Sequence, residues 1–201
     1  MLKVGLTGGL ACGKSFVGQA LARLGCHLIE ADRLGHEVLL PEGEAYADVV
    51  REFGAGILNE DGTIDRKRLA AEVFGKPEQL ATLNRLVHPH VFRREQELMD
   101  GFARTDPRGI TVVEAAILIE TGSYKKFDRI ILVECDEQKQ LERALERDGV
   151  NRDQVLARLS RQMPIAEKRK FTHYVINTSG SKEDTLRHVQ EIYNSLRRIN
   201  S

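Results

Sequence analysis

The chain has 201 residues, with 30 Lys and Arg balancing 30 Asp and Glu to leave a formal net charge of zero, so its main business is not neutralising a nucleic-acid backbone. A composition of 41% hydrophobic and 30% charged residues excludes disorder and is ordinary for a folded protein. At roughly 150 residues per domain, this length gives one compact unit with room for a sizeable insertion.

In chain order, Leu2 to Thr7 reads as a buried strand, and Ser15 to Leu24 as a helix stopped by Gly25. Leu28 to Ala31 reads as a second strand. The stretch from Arg33 to Arg108 is polar and helix-like, punctuated by Pro41, Gly54, Gly56, the Asn59-Glu60-Asp61-Gly62 turn, Pro77 and Pro89. Thr111 to Ala115, Ile130 to Glu134 and Tyr174 to Asn177 supply three more strands, short and rich in Val and Ile as strands of a parallel sheet covered on both faces should be. Asp136 is placed to cap a helix over Glu137 to Arg147, Asn151 to cap another reaching Met163, and Ser181 with Asp184 resembles a capping box for a last helix toward Arg198.

No apolar run approaches the roughly 18 residues of a spanning helix; the best, Ile110 to Ile119, is interrupted by Glu114. The N-terminus shows no secretory signal, so the expected address is the cytoplasm. The three cysteines, Cys12, Cys26 and Cys135, lack C-x-x-C spacing and read as reduced thiols.

Gly8, Gly9, Leu10, Ala11, Cys12, Gly13, Lys14 and Ser15 satisfy G-x-x-x-x-G-K-[ST] between a strand and a helix. The glycines let backbone N–H groups converge, and the helix N-terminus adds partial positive charge, which together cradle a polyphosphate. Lys14 is expected to reach the β and γ phosphates, and the Ser15 hydroxyl suits Mg²⁺. Cys12, near a helix N-terminus, is expected to have a lowered pKa and to be oxidisable.

Read as strand, Glu30 and Asp32 fall on one side of the second strand's end. There a carboxylate can orient an attacking hydroxyl and take its proton, although an acidic pair ending a strand also serves as a turn or helix cap. Asp32-Arg33-Leu34-Gly35 matches the D-x-x-G of a GTPase switch, but no Asn-Lys-x-Asp follows and that reading is set aside. Arg143 with Arg147, and Arg158 with Arg161, align on helix faces and are candidates to neutralise phosphate charge from a closing lid. Interleaved acids at Glu142, Glu146, Asp148 and Asp153 give a solvated face as the alternative, with Arg143 the best exception. His88-Pro89-His90 lacks a third ligand for zinc, and Pro89 suggests a helix boundary that would direct His88 toward a substrate. Asn177-Thr178-Ser179-Gly180 follows the last strand at the ligand edge of the sheet, where turn chemistry alone also explains it.

Taken in order, Val4-Gly5-Leu6-Thr7-Gly8-Gly9 with Gly13-Lys14-Ser15, Glu30-Ala31-Asp32, His88-Pro89 with Val91, Glu114 to Glu120, Gln140-Leu141-x-Arg143 with Arg147, Arg158, Gln162 and Asn177-x-Ser179-Gly180 resemble the dephospho-coenzyme A kinase family over nearly the whole chain. Glu30 stands for a family Asp, Phe16 for a frequent Thr, and Ala115-Ala116 for a usual Pro. The resemblance implies a three-layer α/β P-loop kinase fold with a five-stranded parallel sheet in order 2-3-1-4-5. A single unit is expected: core 1–32, 109–135 and 171–201, a helical acceptor-binding insertion over 33–108, and a lid over 136–170. It further implies ATP as phosphate donor with Mg²⁺ and dephospho-coenzyme A as acceptor, with neither nucleic acid nor membrane as partner. Asp32, Lys14 and Arg143 would be catalytic. Arg33, His88 and Arg158 would join Asp32 at the acceptor, and Arg147 and Asn177 would join the loop in holding nucleotide. Another P-loop small-molecule kinase, such as one acting on nucleoside monophosphates, or a switch ATPase, are the alternatives. The oligomeric state is left open.

Overall fold

The computed structural model describes residues 1–148, 152, 155, 159 and 162–200. Five parallel strands, β1 (Leu2–Gly8), β2 (His27–Glu30), β3 (Ile110–Glu114), β4 (Arg129–Glu134) and β5 (Tyr174–Asn177), form one sheet in the order β2-β3-β1-β4-β5, as the resemblance implied. Helices lie on both sides of it. Register pairs Val4 with Val112 and with Arg129. Every residue of β3 is buried, and so is all of β4 except Arg129. That accounts for continuous apolar runs instead of alternation.

Between β1 and β2 runs α1 (Lys14–Arg23), which turns Val17, Ala20 and Leu21 inward and ends before Gly25, whose φ of +100° permits the left-handed exit. These residues join Leu6, Val112, Ile131, Val133 and Ile176 in one apolar core. Each fully buried Val or Leu there stabilises the fold by about 1.5–3 kcal/mol. The last helix, α8 (Lys182–Ile199), contributes Val189 and Leu196 to that core. Ser181 caps α8 by accepting from Asp184 N at 3.0 Å, while its hydroxyl donates to Asp184 Oδ2 at 2.8 Å, so Asp184 reaches the cap's side chain where a full capping box would use its backbone. Before α8 lie α6 (Glu137–Asp148) and the short α7 (Ile165–Arg169). The helix expected from Asn151 lies largely outside the described residues.

Residues 1–30 and 101–201 form one compact unit and 31–100 a second. The second contains α2 (Ala31–Glu37), α3 (Tyr46–Phe53), α4 (Arg66–Val73) and most of α5 (Pro77–Thr105). Asp65 caps α4, accepting from Lys67 N at 2.8 Å and Arg68 N at 3.1 Å. Two sequence expectations are corrected here. The second strand ends at Glu30, and Ala31 and Asp32 open α2, so strand periodicity does not relate Glu30 to Asp32; no cap or breaker separates strand from helix, and an acid in a first turn suits the helix dipole. Pro89 lies inside the 29-residue α5 instead of bounding it. The backbone bond that proline removes is outweighed by burial of Val91 and Met99 along the same helix.

Candidate active site

The loop between β1 and α1 curls because of where its small residues stand. A side chain at Gly8 would put Cβ 2.2 Å from the Val133 carbonyl oxygen on β4, a collision that glycine avoids. Gly13 caps α1 with φ +82°, and Ala11 also takes a positive φ, 55°. Lys14 folds its ammonium back over the loop, donating to Gly9 O at 3.1 Å and Gly8 O at 3.4 Å. Leu10 is held from two sides. Its N–H donates to Gln162 Oε1 at 2.9 Å, and its carbonyl accepts from Gln140 Nε2 of α6 at 2.8 Å. A curled loop ahead of a ten-residue helix is an anion-binding arrangement.

Ser15 Oγ donates to Glu114 Oε1 at 2.8 Å. Glu114 ends β3, in register with Glu30 at the end of β2. A hydroxyl beside carboxylates is a set of hard oxygen donors, so these residues fit Mg²⁺. Among the described residues no cluster of three or more His, Cys, Asp or Glu could hold a metal ion. Sequence reasoning quoted Glu114 without giving it a part; the available signal was a carboxylate ending an apolar strand beside the loop's own strand.

On the other flank, Arg143 of α6 forks onto Thr178, donating to its Oγ1 at 3.1 Å and its carbonyl at 2.8 Å. Thr178 in turn donates from Oγ1 to Cys12 O at 2.9 Å, tying the turn after β5 to the phosphate loop. Lys14, Ser15, Phe16, Arg143 and Glu146 line a cleft of about 450 Å³. A second, of about 920 Å³, is lined by Gly9, Glu134, Gln140, Gln162, Met163 and Asn177 among others. Asn177 Oδ1 accepts from Ser179 N at 2.8 Å, the turn chemistry its sequence also suggested.

The Cys12 and Cys135 sulfurs are 3.2 Å apart. Cys12 is fully buried, and the neighbouring thiol and burial push its pKa up, contrary to the lowered value expected from its nearness to a helix N-terminus. Cys135, half-buried at the end of β4, is held down at about 7, chiefly by its hydrogen bond with Cys12 and further by the positive charge of Arg143. Burial pushes Cys26 up to about 12.

Three further predicted site residues are placed by the structure. Asp32 and Arg33 are exposed in the first turn of α2, where Arg33 Nε donates to Glu37 Oε1 at 3.0 Å. His88 is half-buried on α5 against Phe92, with ring centroids 5.7 Å apart, and burial lowers its pKa. Those three belong to the 31–100 unit, whereas Gly8 to Ser15, Arg143 and Asn177 are gathered in the other. Arg158 and Arg161 lie outside the described residues, as does the Arg147 side chain.

A parallel sheet of this order, with a glycine-rich phosphate loop leading from β1 into α1 and a Ser15–Glu114 oxygen pair beside it, defines a P-loop kinase fold. Residues 2–184 match the sequence model of the dephospho-CoA kinase family. The dephospho-CoA kinase of Aquifex aeolicus is 37% identical over 198 residues, covering 98% of this chain and 99% of that one. Among solved structures, TT1252 from Thermus thermophilus superposes with a TM-score of 0.79 at 31% identity, covering 97% of each chain. The dephospho-CoA kinase from Campylobacter jejuni does so with 0.73 at 25% identity, covering 99% of this chain and 98% of its own. The chain belongs to the dephospho-CoA kinase family.

Proposed function

We propose that this protein transfers the γ-phosphate of ATP to the ribose 3′-hydroxyl of dephospho-CoA, giving CoA and ADP, the last step of CoA biosynthesis. The observation that carries this reading is the intact phosphate loop, with Lys14, Ser15 and Glu114 gathered on it, in a chain matching that family over residues 2–184. Backbone N–H groups from Gly8 to Ser15 hold the polyphosphate, and Lys14 exchanges its carbonyl partners for phosphate oxygens. Arg143 leaves Thr178 to meet charge developing on the transferred group. Ser15 and Glu114 would hold Mg²⁺, which when bound would neutralise phosphate charge.

Asp32 orients the acceptor hydroxyl and takes its proton as the oxygen attacks. Arg33, His88 and Arg158, with the inserted helices, bind the acceptor, and Arg147 and Asn177 bind the nucleotide. Its thiols are all free among the described residues, which suits a reducing cytoplasm, and no described helix is long and apolar enough to cross a membrane.

The test is mass spectrometry of dephospho-CoA incubated with the protein, ATP and Mg²⁺, with controls lacking protein or ATP. A species heavier by one phosphoryl group and co-migrating with CoA is expected. Binding of ATP with no such product would overturn the acceptor, and no ATP binding would overturn the loop's role.

A further inference from the structure

We propose that Cys12 and Cys135 are a modification site for hydroperoxides, which convert the pair to a disulfide that closes the phosphate loop to ATP. The geometry is specific. The two sulfurs already stand 3.2 Å apart, although the residues are 123 positions apart in sequence, and a bond requires them to close by about 1.1 Å. One sulfur is reachable and the other is not. Cys135 is half-buried and lines the larger cleft, while Cys12 is fully buried beneath the loop to which it belongs. Cys135 is also the better nucleophile, since its hydrogen bond with Cys12 and the positive charge of Arg143 hold its pKa below the ordinary thiol value.

The chemistry balances without a further reactant. The Cys135 thiolate attacks one oxygen of the hydroperoxide; an S–O bond forms, the O–O bond breaks, and the departing oxygen leaves as water or an alcohol after taking a proton from solvent. The Cys12 sulfur then attacks the Cys135 sulfenic sulfur, its proton passing to the leaving hydroxyl, so that the S–S bond forms as water departs. The two thiols lose two electrons in total, and the hydroperoxide gains them. An exogenous thiol reverses the step by exchange.

The consequence for ATP follows from what Cys12 is attached to. Its backbone N–H donates to Gly9 O at 3.3 Å, its carbonyl accepts from Thr178, and Gly13 and Lys14 follow directly. Drawing its side chain toward the end of β4 turns the peptides on either side of it, so the loop's N–H groups no longer converge on one anion.

The experiment treats the full-length reduced protein with hydrogen peroxide at neutral pH. It reads peptide mass under non-reducing conditions and ATP affinity without acceptor, so it stands whether or not the acceptor reading holds. We expect a Cys12–Cys135 cross-linked peptide lighter by two hydrogens. The ATP Kd should rise about tenfold or more, the loss of at least one charge-assisted hydrogen bond, and return on thiol treatment. Cys135→Ser should give no cross-link and keep its own starting affinity through the same treatment. Three outcomes overturn the proposal: Cys135 oxidised further with no cross-link, a cross-link with unchanged ATP affinity, or Cys135→Ser losing affinity as the parent does.

Discussion

Ser15 and Glu114 are 99 positions apart in the chain and 2.8 Å apart in space. If this pair holds Mg²⁺, Glu114→Gln keeps an oxygen for the Ser15 hydroxyl and removes only the charge. The Mg²⁺ concentration giving half-maximal rate should then rise about tenfold or more, read from metal titrations of the initial rate; an unmoved midpoint would exclude Glu114 from metal binding. Asp32 carries a different expectation. Asp32→Asn keeps the size of the side chain and loses the proton acceptor, so kcat should fall about 10²- to 10⁴-fold while ATP affinity stays put. Rapid-quench and nucleotide-binding measurements would decide it, and near-normal turnover would refute the role. At this scale the sequence was legible where function is local. Gly8 to Ser15 announce a phosphate loop because the motif, its strand and its helix are contiguous. Glu114 was legible only as a carboxylate ending an apolar strand, and the Thr178 link to Cys12 not at all, since their meaning depends on partners far along the chain. Cys12 was misread because nearness to a helix N-terminus was weighed without the second thiol and the burial that act against it.

Among the elements, α7 shows how a helix of five residues is held. So short a helix has little stability of its own. Its Lys168 is fully buried, donating to Glu120 Oε1 and to Ala116 O, each at 2.9 Å, and Glu120 Oε1 also accepts from Met163 N at 3.0 Å. One ion pair therefore fixes α7, the segment before it and the turn after β3. Lys168→Met should cost about 3 kcal/mol, because the Glu120 charge loses its partner. Adding Glu120→Gln should recover much of that, and urea unfolding of the two variants would show it. Equal stability of the single variant and the parent would mean that the pair holds nothing. The central strands β3 and β4 were legible as elements because burial on both faces writes them as short runs rich in Val and Ile. Elements were misread where a local rule met a tertiary one: Pro89 reads as a boundary, but the rest of α5 packs well enough to carry it, and Glu30 runs into α2 with no residue to mark the change.

For the molecule as a whole, the parallel sheet follows from the alternation of short apolar runs with helical stretches, and its strand order from the family resemblance alone. The two compact units were less legible, since 31–100 reads in sequence as one polar, punctuated stretch whose interior, including Val38, Val49 and Ile57, is assembled only on folding. The topology of that stretch has a further consequence. The chain leaves the sheet after Glu30 and rejoins it at Ile110, on strands that are hydrogen-bonded neighbours. An excursion that starts and finishes side by side does not alter strand order whatever its length, and each doubling of it adds only about 0.6 kcal/mol of closure entropy. Given the acceptor role proposed for it, such a segment is open to inheritance as a replaceable part. That crossover can change in length and sequence while the strand order that frames the phosphate loop stays as it is.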